Sequence, residues 1–391
     1  MVADLDRSAL FSSAETVIVK IGSSALMKGI GNAGLENSQD PSPWLKSFAD
    51  DLASLTADGK RVLLVSSGAV ALGCTRLGWG ERPQKLADAQ AAAAVGQAAL
   101  IELYEAALAS HNILPAQLLL SRSDLEDRRR YLNARATTRA LWDAGALPIF
   151  NENDTVTTEE LRFGDNDGLA ARLCHLVGAD LLILLSNVDG VFSSEQQNDP
   201  LEDDFPEPLR EIADPAALAR SIPDETSAMG TGGMASKLAA AEVARHAGAH
   251  IIIANGTRRH PILRLQNEGT GSWIRATTTP KSARRAWLES LEPGPGHLMI
   301  DQGAALAVRT GASLLPVGIL AVEGIFDKGS VVTLVTRDGE PVAKGLVAYA
   351  HDEASKLCGI HTEAIQDQLG YRGPRVVIHR DDMVILKAPL E

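Results

Sequence analysis

The sequence predicts a three-layer α/β/α sandwich followed by a small, mostly β domain, and three observations lead there. Over the first two-thirds of the chain, short aliphatic runs alternate with helical patterns, as in a sheet covered by crossover helices. One run, Leu181-Leu182-Ile183-Leu184-Leu185, is apolar throughout, which suits a central parallel strand buried on both faces. Near residue 290 the texture changes. Glu292-Pro293-Gly294-Pro295-Gly296 is a turn-rich boundary, after which glycines recur between β-branched runs. A chain of 391 residues exceeds what one core usually organises. The expected limits are 1–285 for the first domain, 286–295 for a linker and 296–391 for the second.

Thr16 to Ile21 reads as the first strand, with Gly22-Ser23-Ser24 as the loop after it. Trp44, Phe48, Leu52 and Leu55 recur at helical spacing, and Gly59 is placed to stop that helix. Arg61 to Val65 is the next strand and ends in Ser66-Ser67-Gly68; the alanine-rich stretch Ala87 to Ser110 is a helix. Further strands are expected at Ala116 to Leu120, Leu147 to Phe150, Leu181 to Leu185 and Ile251 to Ala254. In the second domain, Gly329 to Val335 and Arg375 to Ile378 read as strands, with a helical pattern from Asp352 to Leu369 between them.

Lys plus Arg number 37 against 50 Asp plus Glu, a formal net charge of -13. That argues against a chain-wide surface for nucleic acid or anionic membrane, so any anionic ligand must be held by local positive charge. Cys74, Cys174 and Cys358 are odd in number and far apart, which supports neither a disulfide framework nor a zinc cluster. Asp4, Asp6 and Glu15 occupy the stretch where a signal peptide would be apolar, and no uncharged run approaches membrane-spanning length. The expectation is a reduced, soluble, cytoplasmic protein.

In open α/β sheets, ligands sit beyond the carboxyl ends of the strands, so the loops there are searched for chemistry. Lys20 ends the first strand beside Gly22-Ser23-Ser24, where a flexible cation can meet a phosphate; taken alone, a solvated strand-end lysine explains it better. Gly230-Thr231-Gly232-Gly233-Met234-Ala235-Ser236-Lys237 opens a helix expected to run to about Gly248, and backbone N–H groups at such a start suit an anion. A cation in that first turn fits a bound polyanion and fits a solvated connector equally well. The spacing is not that of a P-loop. Ser66-Ser67-Gly68-Ala69 either caps its helix or offers donors to a carboxylate or phosphate. Asn151-Glu152-Asn153-Asp154 and Gly164-Asp165-Asn166-Asp167-Gly168 place three Asp, three Asn and one Glu near the ligand edge. A turn explains the second cluster by itself, whereas two clusters together suit substrate amines or the hydration shell of magnesium. Ser186-Asn187-Val188-Asp189-Gly190 follows the most apolar strand and is either a nucleotide cradle or a tight turn. No Ser/His/Asp arrangement for nucleophilic hydrolysis stands out.

Taken in order, Val19-Lys20-Ile21-Gly22-Ser23-Ser24, Ser66-Ser67-Gly68-Ala69, Asn151-Glu152-Asn153-Asp154, Gly164-Asp165-Asn166-Asp167 and Thr231-Gly232-Gly233-Met234-Ala235-Ser236-Lys237 resemble the amino-acid kinase superfamily. The similarity is strongest to its glutamate-phosphorylating branch. Asp127-Arg128-Arg129-Arg130-Tyr131-Leu132-Asn133-Ala134-Arg135 resembles a segment of that branch too. Gly311 to Ile319 and His379-Arg380-Asp381-Asp382-Met383 are similar to the PUA domain that bacterial members append.

The resemblance implies an amino-acid kinase fold and ATP-dependent phosphorylation of the γ-carboxylate of L-glutamate, the first step of proline biosynthesis, with Mg²⁺ as cofactor. It places Lys20 and Lys237 on the transferring phosphoryl group, with Asp167 orienting both. It gives glutamate to Ser67, Asp154 and Asn166, with Asp154 on the amine and Asn166 donating to a carboxylate. It gives ATP to Lys20, Ser186, Asn187, Thr231, Gly232, Gly233, Met234, Ala235, Ser236 and Lys237. Asn187 stands where the family often has Asp, so an amide replaces a carboxylate there. No protein ligand of a metal is assigned. Feedback inhibition by proline and a homodimer or homotetramer are also implied. Sibling kinases of aspartate, N-acetylglutamate, carbamate or UMP are the alternatives, and the paired acidic clusters with the appended domain favour glutamate. An RNA-binding protein is the alternative of another class, because PUA domains commonly bind RNA. From Gly294 onward, nine Lys plus Arg face twelve Asp plus Glu, which weighs against it.

Overall fold

The computed structural model describes residues 7–36, 40–81, 83–157, 166–193, 207–222 and 233–386. It divides into two compact units, one of residues 1–126 and 134–280 and one of residues 127–133 and 281–391.

The first unit is built on a seven-stranded sheet. Its strands are β1 (Thr16–Ile21), β2 (Arg61–Ser66), β3 (Pro115–Leu120), β4 (Leu147–Glu152), β5 (Leu181–Ser186), β6 (His250–Asn255) and β7 (Ser272–Ile274). They lie in the order β3-β4-β2-β1-β5-β6-β7, parallel except for the edge strand β7, which the sequence reading did not include. Every residue of β1, β4 and β5 is buried, so covering helices occupy both faces of the sheet, as the apolar run in β5 predicts.

Alternation along the strands divides the core. Val17, Val19 and Ile21 share one cluster with Leu45, Phe48, Leu52, Leu100 and Leu103 from the helices Pro43–Ala57 and Leu86–Leu108. Lys20 points to the opposite face, toward the helices Asn166–Val177 and Met234–His246. The helix Leu86–Leu108 is long and apolar enough, by composition, to cross a membrane. Here it is a core helix, with Ala92, Ala93, Leu100 and Leu108 buried.

The chain leaves β1 toward β2 on one side and β5 toward β6 on the other. That reversal between adjacent strands opens a crevice at their carboxyl ends, where ligands of open α/β sheets bind.

The second unit carries a five-stranded sheet in the order β12-β11-β10-β8-β9, from β8 (His297–Ile300), β9 (Ile319–Glu323), β10 (Val331–Val335), β11 (Pro341–Leu346) and β12 (Met383–Ile385). Leu288 of the helix Pro280–Ser290 packs on Val331, Leu346 and Val384, with Leu132 and Trp287 beside it. Arg284 in that helix is buried; its guanidinium pairs with Asp382 and donates to Tyr131 Oη and the Asp381 carbonyl, both at 2.9 Å.

Two local expectations fail in this unit. Arg375 to Ile378 forms no strand: Val377 and Ile378 are buried, but only a single bridge joins Ile378 to Leu314. Their backbone bonds go to two different neighbours, Val377 O accepting from Ala348 and Val377 N donating to Leu314, so no ladder propagates. The pattern from Asp352 to Leu369 is broken as well. A helix spans His351–Lys356 and is capped at Leu357, Gly359 (φ 70°) then turns the chain in a left-handed conformation, and a second helix spans Ile365–Leu369.

Candidate active site

Four loops or helix starts meet at the carboxyl ends of β1, β2, β4 and β5. Lys20 is the fifth residue of β1, and alternation turns it to the face covered by the Asn166 helix. Asp167 sits in the first turn of that helix, where the dipole favours a carboxylate. Lys237 lies in the first turn of the Met234 helix, whose N-cap Gly233 supplies no side-chain cap. The three groups converge: Lys20 Nζ pairs with Asp167 Oδ1, and Lys237 Nζ lies 3.1 Å from Oδ2.

Lys20 and Lys237 are only 4% and 7% exposed and Asp167 is fully buried, so the cluster is two cations on one anion, largely out of water. Burial opposes the Asp167 charge, but the pull of Lys20 and then Lys237 overrides it and holds the carboxyl below its usual range. The cluster carries a net positive charge where a desolvated polyanion would compensate it. A Cβ at Gly22 would come 3.8 Å from Lys20 Nζ, so the glycine leaves that side of the amine clear of a side chain.

A polar cluster adjoins the lysines. Asn166 Nδ2 lies 2.7 Å from Asn151 Oδ1, 3.1 Å from Ser67 Oγ and 3.2 Å from the Ser66 carbonyl oxygen. Behind it, Ser66 Oγ is 2.8 Å from Tyr104 Oη, and Gln97 links Gln117 to the Glu152 carbonyl. Gly68 follows Ser67 with φ 109°, a left-handed conformation that lets β2 turn directly into the helix Ala69–Leu77. Asp154 stands, half-buried, in the turn after β4. Ser186 is buried at the end of β5 and Asn187 is exposed beyond it. Further out, Asp189 accepts from Asn255 Nδ2 at 2.9 Å and pairs with Arg258 at 3.3 Å.

Of the residues expected from the sequence, the structure joins Lys20, Asp167 and Lys237 directly, and Ser67 with Asn166. Asp154 shares a sheet end with Asn166 through β4 and its Asn151. Gly233, Met234, Ala235 and Ser236 begin the helix that carries Lys237, while Thr231 and Gly232, like Asp165, lie outside the described residues. Asn151, Tyr104, Asp189 and Arg258 were given no role by sequence reasoning. Asn151 and Asp189 belong to motifs that were noticed; nothing in one dimension marks Tyr104 or Arg258.

A profile of the amino acid kinase family matches residues 15–255, and one of the PUA domain matches residues 296–369. Curated relatives extend over almost the whole chain. Glutamate 5-kinase from Caulobacter vibrioides (strain NA1000 / CB15N) is 43% identical over 96% of this chain and 97% of its own. Glutamate 5-kinase from Rhodospirillum rubrum is 44% identical over 94% and 96%. Glutamate 5-kinase from Methylobacillus flagellatus is 41% identical over 97% and 100%. Among solved structures, a carbamate kinase from Giardia lamblia bound to AMP-PNP is similar over 68% of this chain and 99% of its own, at 16% identity and a TM-score of 0.46.

Proposed function

The chain belongs to the amino acid kinase family, among its glutamate 5-kinases, and on that premise we propose how its residues perform the reaction. The enzyme transfers the γ-phosphoryl group of ATP to the γ-carboxylate of L-glutamate, giving L-glutamyl 5-phosphate and ADP, the first step of proline biosynthesis. The observation that carries the residue roles is the meeting of Lys20 and Lys237 on Asp167.

The acceptor carboxylate has an ordinary pKa of about 4.3, so it is already a nucleophile at neutral pH and needs no general base. The obstacle is charge: an anion must approach an anionic phosphate. Lys20 and Lys237 neutralise the transferring group, and Asp167 holds both ammonium groups in place so that little reorganisation remains when charge develops. The ATP phosphates are assigned to the N-terminus of the Met234 helix and to Thr231 to Ser236, and the rest of the nucleotide to Ser186 and Asn187. Ser67, Asp154 and Asn166 hold glutamate, Asp154 pairing with its ammonium. Alignment of the γ-carboxylate with the phosphorus supplies much of the acceleration.

Among the described residues, no three acidic, His or Cys side chains gather into a metal site, and Asp167 is committed to the lysines. Magnesium would enter with the substrate as MgATP, and no protein ligand is assigned to it. The kinase reaction is assigned to residues 1–285, with 286–295 as linker and 296–391 as the PUA domain. A cytoplasmic location, a homo-oligomer and inhibition by proline complete this reading. ADP release measured with glutamate, aspartate and N-acetylglutamate tests it, since no glutamate-dependent ADP would refute it.

A further inference from the structure

Trp44, Ser47 and Asp51 recur at helical spacing and form one stripe on the helix Pro43–Ala57. All three are buried, and each holds a different point of the chain that follows β6. Trp44 Nε1 donates to the Gly256 carbonyl at 2.9 Å. Ser47 Oγ accepts from the His260 N–H at 3.1 Å, its own proton going to the Trp44 carbonyl at 2.7 Å. Asp51 Oδ1 lies 2.9 Å from His260 Nδ1, while Oδ2 accepts from the Ile262 N–H at 2.8 Å and the Leu263 N–H at 3.2 Å. Both ends of the loop 256–260 are thereby fastened to one helix.

The carboxylate does more than cap a helix. His260 is the N-cap of the helix Pro261–Glu268 but gives it no side-chain bond; a residue 211 positions away takes the first-turn N–H groups instead. His260 also has φ 51°, a left-handed backbone that is strained for a residue with a Cβ. Ser47 and Asp51 hold its N–H and its ring in that conformation. The loop so held meets the loop after β5. The Gly256 N–H donates to the Ser186 carbonyl at 2.7 Å, and Asn255 and Arg258 both meet Asp189. A Cβ at Gly256 would fall 2.8 Å from Leu185 Cβ, so the chain approaches the end of β5 closely there. Resting on the assignment of Ser186 and Asn187 to ATP, we propose that Asp51 is a positioning residue for the nucleotide, acting through the loop 256–260 and Asp189. Its helix covers the sheet face opposite Lys20, so Asp51 is remote from phosphoryl transfer. Without the carboxylate, two backbone N–H groups and a strained residue lose their compensation, and the loop that supports Asp189 relaxes.

The test uses the full chain with magnesium present. It measures kcat, KM for ATP and for glutamate, and the dissociation constant of the non-hydrolysable analogue AMP-PNP by calorimetry. Asp51→Ala is expected to raise the ATP KM and the AMP-PNP constant about tenfold, with kcat and the glutamate KM within about threefold of the parent. Asp51→Asn keeps an acceptor for the N–H groups and can donate to His260 Nδ1, so both nucleotide constants should stay within about threefold. Asp189→Ala cuts the contact between the loops and should raise both constants about tenfold by itself. Adding Asp51→Ala to it should then cost less than about a further threefold, whereas independent effects would multiply. Equal rises in the two KM values, an Asp189→Ala enzyme with unaltered nucleotide binding, multiplication in the double variant, or a tenfold loss in Asp51→Asn would each overturn the proposal. If Asp51→Ala does not fold, Ser47→Ala decides: it removes the acceptor of the His260 N–H and must raise the nucleotide constants about threefold or more with the glutamate KM unchanged. A parent enzyme that neither binds AMP-PNP nor turns over glutamate would instead overturn the reading of the site itself.

Discussion

Lys237 Nζ lies 3.1 Å from Asp167 Oδ2 although 70 residues separate them, and Lys20 holds the other oxygen of the same carboxylate. Neither lysine is unusual in its own segment. Their shared partner makes them a unit.

Removing either lysine should therefore impair catalysis more than folding. Lys20→Ala and Lys237→Ala are each expected to lower kcat by about a hundredfold or more, in the range of a lost preorganised donor. Circular dichroism should remain native. Near-normal turnover in either variant would take that lysine out of the site.

Asp167→Asn separates orientation from charge. With its anion gone, two buried cations face each other, and a nucleotide becomes their main compensation. We expect ATP affinity to hold or tighten while kcat falls. The ATP-induced rise in Tm should exceed that of the parent enzyme, and a smaller rise would contradict the proposed role.

Substrate choice should follow from the two anchored ends of glutamate. Aspartate is one methylene shorter and cannot satisfy the anchors and reach the phosphorus together; a misplacement of about 1 Å can cost about a hundredfold. N-acetylglutamate lacks the ammonium and so cannot form the proposed ion pair with Asp154. In kcat/KM, L-glutamate should lead both by a wide margin, and Asp154→Ala should severely impair its use. Equal use of aspartate would refute the assignment.

Helix packing behind the site should be intolerant of a single methyl group. A Cβ at Gly96 would fall 1.7 Å from the Ala69 carbonyl oxygen, and one at Gly73 equally close to that of Ala92. Gly96→Ala forces the helices Ala69–Leu77 and Leu86–Leu108 apart, at a cost of about 1–3 kcal/mol or more. Because Ala69 directly follows Ser67-Gly68, the glutamate KM should rise along with the loss in urea midpoint.

His250 supplies a pH dependence of known sign. Its Nδ1 accepts from the Ala276 N–H at 3.2 Å, which requires the neutral ring. Burial, reinforced by the Arg275 charge and weakly opposed by Asp180, lowers its pKa from the usual 6.5. The unfolded chain therefore binds the proton more readily. This stabilisation is present above the unfolded pKa and is lost as pH falls through the lowered folded value. The urea midpoint should drop on acidification from about pH 7 to 5, and His250→Gln should lessen that drop.

Where pattern is local, one dimension was enough. The all-apolar run of β5, the alternation that turns Lys20 away from Val19 and Ile21, and the glycines before the Met234 helix reflect short-range backbone preferences, which sequence carries directly. The sequence also determined the order of the ligand-edge loops, and with it the family. Tertiary structure decided which of those residues touch. Asp167 could have been a turn residue until the sheet order brought β1 beside β5 and set two helices over one face. The contacts of Asn166 with Asn151, Ser67 and the Ser66 carbonyl likewise depend on the pairing of β2 with β4. The failed strand at Arg375 to Ile378 has the same cause. Its residues suit a strand, but a ladder needs a neighbour running alongside, and the fold offers Val377 and Ile378 two separate ones.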